Sequence, residues 1–266
     1  SDRDGSRPMI LRRVIAHVRK QEWTAIAIDL VIVVLGVVIG IQVSNWNAAR
    51  VDRERAHGYL ERIRDDLEAD IVGYRDRLAF WSEVSASGAR GLAYAETGDA
   101  GGATQWDLLR DYFWASQVGA FNLTEATYDE LRSAGELGLL GDPRLRDQLA
   151  SYYTNSKNPT LSESPEYRKH VRGLIPLEIQ LYLWEKCWQS EMSGKQRALA
   201  CSPPVDEARA RAVVDAIRND TALMRELRYW MSTMRVAGDV GRIYMGVAIG
   251  LRDAVDAKVG RQNPAP

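Results

Sequence analysis

The chain of 266 residues is long enough to form one large domain or two small ones around a buried apolar core. Its formal net charge of −1 argues against a nucleic-acid-binding protein, which would need a basic surface. Apolar residues make up 45% of the chain, and the abundance of Arg, Ala, Leu and Glu beside only 9 Pro favours helices.

A long apolar segment lies close to the N-terminal end. Between residues 25 and 43 the only polar side chains are Asp29 and Gln42, and Trp23 and Trp46 flank the segment. About nineteen helical residues at about 1.5 Å each extend roughly 28 Å, close to the thickness of the hydrocarbon layer. Tryptophan is typical of the membrane–water interfaces. The sequence therefore predicts a transmembrane helix surrounded by a lipid bilayer.

The flanks of this segment, residues 23–46, indicate its processing and orientation. The apolar run is longer than that of a cleavable signal peptide, and Trp46 or Asn47 stands where cleavage needs a small residue, so we expect an uncleaved signal anchor. Basic residues are more frequent before the segment than after it, which predicts a cytoplasmic N-terminus. The bias nearly vanishes if translation begins at Met9. The basic residues compared are Arg3, Arg7, Arg12, Arg13, Arg19 and Lys20 before the segment, and Arg50, Arg53, Arg55 and Arg62 after it.

Residues 1–22 form a basic segment ahead of the predicted span. Apolar residues share one helical face, and arginine and lysine occupy the others, which is typical of a helix lying on an anionic membrane surface. The alternative is a basic leader without fixed structure. The apolar residues of this face are Ile10, Leu11, Val14, Ile15 and Val18.

One face of the predicted span carries a regular stripe. Its residues are spaced 4, 3, 4, 3 and 4 apart: Asp29, Val33, Gly36, Gly40, Val43 and Asn47. Gly36 and Gly40 form a G-x-x-x-G pair, which lets a second helix approach closely, and Asp29 is placed to pair across the same contact. Alternatively the glycine pair is incidental, because this motif is frequent, and Asp29 reaches the headgroups or is protonated. Our hypothesis is a helix–helix interface in the membrane formed by Asp29, Val33, Gly36, Gly40, Gln42 and Trp46.

Residues 47–266 are predicted to form a helical extramembrane domain. Arg62 with Asp66, and Arg64 with Glu68, are four residues apart, which predicts ion pairs on an exposed helix face. Apolar residues recur every three or four positions along another face, which predicts that the helix of the span continues. These residues are Leu60, Ile63, Leu67, Ile71, Tyr74, Leu78 and Trp81.

Signals for helix ends divide the next part of this domain. The first helix is expected to end in "ETGDAGGAT", residues 96–104, and a second to cover about 105–118. Thr124 is the predicted N-cap of a helix that ends near residues 135–138. Asp142, followed by proline, is the predicted N-cap of the next helix.

The rest of the chain also shows helical periodicity, with a loop at 154–165. A helix is predicted over 166–190, interrupted by Pro176. One or two long helices are predicted over 205–259. The apolar run at 243–251 within them is too short to span a membrane, and we expect it to be packed in the core. No stretch alternates with period two, so the fold class is all-α: an N-terminal transmembrane helix continuing into a helical bundle. The predicted apolar faces comprise Leu174, Leu177, Leu181 and Trp184 in the former helix, and Leu223, Leu227, Trp230, Met234 and Val240 in the latter.

The two cysteines, Cys187 and Cys201, are close in sequence. A disulfide bond between them would close a short connection and would require an oxidising compartment, in agreement with a domain outside the cytoplasm. The alternative is two buried free thiols. We predict the disulfide bond.

No catalytic, cofactor-binding or metal-binding residues are predicted. The E-x-x-H pattern occurs once, at Glu54 and His57, whereas a di-iron bundle needs two, and Glu166 with His170 has a different spacing. The sequence contains none of the motifs of zinc proteases, phosphate-binding loops, dinucleotide-binding folds or serine hydrolases. We therefore expect no cofactor, and an enzyme is the least favoured function.

Two blocks of the sequence resemble a group of uncharacterised bacterial membrane proteins, the DUF6090 type. The first is the span with Gly40, Gln42, Trp46 and Asn47, which resembles a "G-x-Q-x-x-x-W-N" segment. The second is "TYDELRSAGELGLLGDPRLRDQLASYY", residues 127–153. The resemblance implies a bacterial inner-membrane protein with most of its mass in the periplasm, and it supplies no catalytic residues.

These features predict a membrane-anchored helical protein that works through contacts, as a homo-oligomer or as a subunit or modulator of an assembly with another membrane protein. The alternative is a periplasmic ligand-sensing module, because a shift in a domain continuous with a span can travel along the helix. A membrane-bound enzyme is the third hypothesis.

Overall fold

The computed structural model describes the chain in four stretches, residues 8–119, 122–156, 164–191 and 195–262. Within them the chain forms eight α-helices, one short 3-10 helix and two short strands. It divides into two compact units, the first unit (Ser1–Ala56) and the second unit (His57–Pro266). The predicted fold class, an apolar N-terminal helix and a helical bundle, is confirmed.

Two predictions fall outside the described part of the chain. Residues 1–7 and the side chains of residues 8–22 are not described, and these carry the predicted basic amphipathic face. Residues 157–163 of the predicted loop are also outside it. Both predictions stay predictions.

Helix α1 (Pro8–Thr97) is the longest element and belongs to both units. It ends where Gly98 adopts a φ of 70°, a conformation that glycine takes without steric cost. The Gly98 N–H donates to the carbonyl oxygen of Tyr94 over 2.8 Å, which satisfies one of the last carbonyls of the helix. The break predicted at residues 96–104 is therefore confirmed.

In the first unit, every described side chain from residue 26 to residue 55 is exposed. This part of α1 is long and apolar enough to cross a membrane, and none of its apolar window is buried inside the protein. An apolar helix without protein cover is stable only in apolar surroundings, because exposing so much apolar surface to water is unfavourable.

In the second unit, α1 contributes its predicted apolar face to two cores. Leu60, Ile63, Leu67, Ile71 and Tyr74 pack in one core with residues from 128–153 and 248–255. The other core begins further along α1 with aromatic residues and includes residues from 106–115, 167–187 and 213–237. The predicted face is confirmed, with Leu78 only partly buried; the aromatic residues that start the second core are Phe80 and Trp81.

Helices α2 and α3 follow α1. Helix α2 (Gln105–Ala115) begins with a capping box, in which Thr104 and Asp107 bond each other's backbone N–H. Helix α3 (Ala126–Ser133) has Glu125 at its N-cap, so the prediction of Thr124 in that role is wrong. The Thr124 N–H instead donates to the Asp70 carboxylate.

A short 3-10 helix (Leu137–Leu140) leads into α4 (Pro143–Asn155). The Asp142 side chain accepts the N–H groups of Arg144 and Leu145, so the predicted N-cap is confirmed.

Pro176 divides the next helical segment, as predicted, into α5 (Glu166–Leu174) and α6 (Leu177–Lys186). The apolar face predicted for this segment is only half correct. Leu174 and Trp184 are partly buried against the core, but Leu177 and Leu181 are 67% and 58% exposed. Ile179 and Leu183 are buried instead. In a short helix that is apolar on several sides, neighbouring elements decide which side is buried.

A small β-hairpin follows where no strand was predicted. Strands β1 (Trp188–Ser190) and β2 (Gln196–Ala198) pair antiparallel. Three residues are too few for period-two alternation to show in the sequence.

Two helices complete the bundle, α7 (Glu207–Arg218) and α8 (Thr221–Gln262). The predicted apolar face of α8 is largely confirmed, since Leu223, Leu227, Trp230 and Met234 are buried. The expected core at 243–251 is only partly correct. Ala248 and Leu251 are buried there, but Ile243 is 64% exposed and Val247 is 40% exposed.

Candidate functional site

The predicted membrane interface lies entirely on α1 of the first unit. Helix geometry of about 100° per residue brings Asp29, Val33, Gly36 and Gly40 onto one face, within roughly 60° of arc. Apart from the nearby backbone of the helix itself, no described atom lies within 4 Å of the position that a Cβ would take at Gly36 or Gly40. This face therefore has room for the backbone of a second helix.

Gln42 and Trp46 lie on a different side of the same helix. They are roughly 100–140° away from Asp29 around the helix axis. Trp46 is 63% exposed. A single partner helix packed on the glycine pair would meet these two residues only at the edge of the contact, so the predicted set of six residues is not one continuous face.

A buried carboxylate in the second unit was not singled out from the sequence. Asp70 on α1 is 1% exposed. Its Oδ1 accepts the Thr124 N–H over 2.7 Å, and its Oδ2 accepts the Tyr152 hydroxyl hydrogen over 2.8 Å. One side chain thus connects α1, α4 and the segment before α3.

The surroundings of Asp70 alter the acidity of this group and of its neighbours. Burial raises the pKa of the Asp70 carboxyl above its ordinary value, although the hydrogen bonds from Thr124 and Tyr152 oppose the rise. Burial also raises the pKa of Tyr74 to about 12. Burial and the Asp70 charge together raise the pKa of Tyr152. In all three side chains the raised pKa means that the surroundings favour the neutral, protonated form.

The position of Asp70 in the sequence does carry a signal. It follows Leu67 by three residues and precedes Tyr74 by four, so it interrupts the apolar stripe of α1 at a position that faces the core. A carboxylate at such a position needs hydrogen-bond partners inside the fold, because burying an unpaired charge is very unfavourable. The partners themselves come from distant residues and could not be read from the sequence.

Neither of the two predicted pairs along α1 forms: Arg64 pairs with its neighbour Asp65 over 2.8 Å, and the other three residues contact other helices. Arg62 pairs with Glu130 of α3 over 2.8 Å, and Arg252 of α8 pairs with Glu68 over 2.9 Å. Asp66 accepts the backbone N–H of Thr127. The face predicted to be covered by i,i+4 pairs therefore helps to hold α3 and α8 in place.

His170 joins α5 to the beginning of α8. Its Nδ1 lies 3.1 Å from Oε2 of Glu226, and its Nε2 lies 3.2 Å from Oδ2 of Asp220. Both nitrogens can donate at once only in the protonated imidazolium. The backbone N–H of Leu223, with the charge of His170, holds the pKa of Asp220 below its ordinary value.

The other residues considered as metal ligands have unrelated partners. Glu54 pairs with Arg50 over 3.0 Å, and His57 lies 3.5 Å from Glu61. Within the four described stretches, no group of three or more His, Cys, Asp or Glu residues could hold a metal ion.

A disulfide bond joins Cys187 and Cys201, the two residues paired in the sequence analysis. Cys187 is fully buried beside the hairpin, and its carbonyl oxygen accepts the N–H of Leu199 over 2.9 Å. The carbonyl oxygen of Cys201 accepts the indole N–H of Trp106 over 3.3 Å. The bridge therefore ties the irregular segment between α6 and α7 to α2.

No protein-family model, no curated protein and no solved structure matches this chain. The resemblance to proteins of the DUF6090 type stays a prediction.

Proposed function

We propose that the chain is a membrane-anchored protein that works by contact, and that it forms a homo-oligomer or joins another membrane protein. The supporting observation is the glycine face of α1. It lies on the part of α1 where every described side chain from residue 26 to residue 55 is exposed, and free space is left beside it: no other described part of the protein comes within 4 Å of the Cβ positions of Gly36 and Gly40. Small residues let helix backbones approach closely in lipid, where van der Waals packing drives association.

Asp29 gives this contact a polar component. It lies on the glycine face, inside the apolar segment, where an ionisable side chain is costly unless it reaches water or pairs. A hydrogen bond to a polar residue of a partner helix would satisfy it. The proposed arrangement has the N-terminus in the cytoplasm and the second unit in the periplasm of a bacterial inner membrane, which agrees with the basic residues before the span and with the disulfide bond.

The experiment is mass measurement of the intact complex of the full chain in mild detergent. Gly36→Ile with Gly40→Ile fills the proposed contact, and Val34→Ile with Val38→Ile places the same two side chains, at the same spacing, on the opposite side of the same helix. We expect a defined homo-oligomer or a complex with a second membrane protein for the parent chain and the control, and monomers for the glycine variant. A monomeric parent chain, or a glycine variant with an unchanged complex, would contradict the proposal.

A second candidate function is ligand sensing by the second unit. The observation that favours it is the single helix α1, which continues from the apolar segment to Thr97 without a break. A small shift at one part of a continuous helix can reach another part. The test is whether a small molecule binds saturably to the second unit of the full chain. The absence of saturable binding would contradict this second function.

A further inference from the structure

An open cleft lies in the second unit where α1 and α7 end and α8 begins. Its volume is ≈ 480 Å³, within the range of pockets that bind small molecules. Three arginines and one glutamate contribute charge to its lining, so the positive charges exceed the negative by two. These charged residues are Glu96, Arg218, Arg225 and Arg228.

Arg218 is held in place by stacking. Its guanidinium carbon lies 4.8 Å from the centre of the Tyr94 ring. The ring itself is fixed, because Tyr94 is buried and its hydroxyl accepts a hydrogen bond from Gln105 over 3.4 Å. In the described part of the chain, the Arg218 guanidinium has neither a hydrogen bond nor an ion pair. Its donors are therefore available, and their plane is oriented in advance.

The other two arginines differ in their pairing. Arg228 donates to Oε1 of Glu96, with Nη2 at 3.1 Å. Arg225, one turn away on α8, is exposed and has no carboxylate partner among the described residues. The single carboxylate of the cleft is thus already engaged, and two guanidinium groups are left without an anion.

We propose that this cleft binds a small polyvalent oxyanion of the phosphate or carboxylate class, with Arg218 and Arg225 as its main donors. A planar guanidinium matches two oxygens of such a group, and charge-assisted bonds of this kind are about twice as strong as neutral ones. The N-terminus of α8 is not part of the site, because the Asp220 side chain already accepts the N–H groups of Ala222 and Leu223.

The proposal names the ligand class that the second candidate function requires. It concerns the second unit, and its readout is affinity for an anion. The membrane contact has a different readout, the mass of the complex, so either proposal can fail without the other.

The experiment is calorimetric titration of the full chain in detergent with inorganic phosphate, pyrophosphate and citrate, at constant ionic strength maintained with chloride. Arg225→Gln removes an unpaired donor, and Arg218→Gln removes the stacked one. The matched control is Arg235→Gln, which removes the same charge from an exposed position elsewhere on α8. Stronger binding of pyrophosphate or of citrate identifies the phosphate or the carboxylate source.

We expect saturable binding of at least one anion, weakened tenfold or more by Arg225→Gln and by Arg218→Gln and unchanged by Arg235→Gln. Glu96→Gln is expected to tighten binding a few-fold, because it removes the only negative charge of the cleft. If Arg218→Gln fails to fold, Arg225→Gln decides alone. The absence of saturable binding by the parent chain, or equal weakening by Arg225→Gln and Arg235→Gln, would overturn the proposal.

Discussion

Tyr152 donates its hydroxyl hydrogen to Asp70 over 2.8 Å inside an otherwise apolar core. The same carboxylate accepts the N–H of Thr124 over 2.7 Å. A buried polar group whose partners lie on distant parts of the chain is satisfied in one arrangement of the helices and unsatisfied in others. The pair therefore favours one packing of α4 against α1.

Removal of the Asp70 carboxylate is expected to destabilise the second unit. Asp70→Ala leaves the buried hydroxyl of Tyr152 and the half-buried N–H of Thr124 without their acceptor, which costs about 2–4 kcal/mol. Tyr152→Phe removes one hydrogen bond to a buried carboxylate and costs about 1.5–3 kcal/mol. Because both changes remove the same bond, the double variant should lose less than the sum. Urea unfolding of the four proteins gives these free energies, and strictly additive losses would show that the two residues are not coupled.

The raised pKa of Asp70 predicts a pH dependence of stability. A proton binds this carboxyl more tightly in the folded than in the unfolded chain, so its contribution is complete below the unfolded value of 3.8 and is lost as the pH rises through the folded value. Asp70→Asn cannot ionise and lacks this contribution. The free energy of unfolding of the parent chain relative to Asp70→Asn should therefore fall as the pH rises above 3.8.

Comparison with Asp70→Asn is necessary because other carboxylates act in the opposite direction. Hydrogen bonds hold the pKa values of Glu130 and Asp142 below their ordinary values, so their contributions are lost as the pH falls. These contributions are common to both proteins and cancel in the difference. Parallel pH curves for the two proteins would contradict the prediction.

Local patterns predicted those parts of the fold that depend on local geometry. The stripe through Ile63 and Leu67 is buried, and Asp142 caps its helix, because helix periodicity and capping involve residues close in sequence. The exposed side of α6 and the role of Thr124 could not be predicted in this way. Whether Leu177 is buried depends on which elements pack beside it, and the Thr124 N–H bonds a residue of another helix.

The candidate sites also differ in whether residues close in sequence or residues distant in sequence form them. Gly36 and Gly40 were found because a motif within one helix suffices to recognise them. The arginine-lined cleft combines Arg218 with Arg225 and Glu96 from three different helices, so no local pattern indicated it. Asp70 is intermediate, since its position in the stripe is a local signal and its partners are not.

Gly91→Ala is expected to destabilise the protein, whereas the same substitution at Gly173 is not. A Cβ at Gly91 would lie 2.8 Å from Cε1 of the buried Tyr112 ring, whose hydroxyl donates to the Gly91 carbonyl oxygen. The ring cannot move without breaking this bond, so overpacking should cost about 1–3 kcal/mol. Gly173 is helical and exposed, with nothing within 4 Å of its Cβ position.

Gly173→Ala should therefore stabilise the protein by about 0.5–1 kcal/mol, as alanine does in an open helical position. Thermal and urea unfolding of both variants measure the two effects. A Gly91→Ala variant as stable as Gly173→Ala would show that α2 can move away from α1 without cost.

Reduction of the disulfide bond is expected to destabilise the second unit. Cys187 and Cys201 are 14 residues apart, and closing a loop of this length stabilises a fold by about 3 kcal/mol in the loop-entropy account. Thermal unfolding with and without a reducing agent measures the loss, and the parent chain should unfold at a lower temperature when reduced. The variant with Cys187→Ala and Cys201→Ala is the control, because a reducing agent should leave its unfolding temperature unchanged. Equal unfolding temperatures of the oxidised and reduced parent chain would show that the hairpin and the contacts of Trp106 hold this segment without the bond.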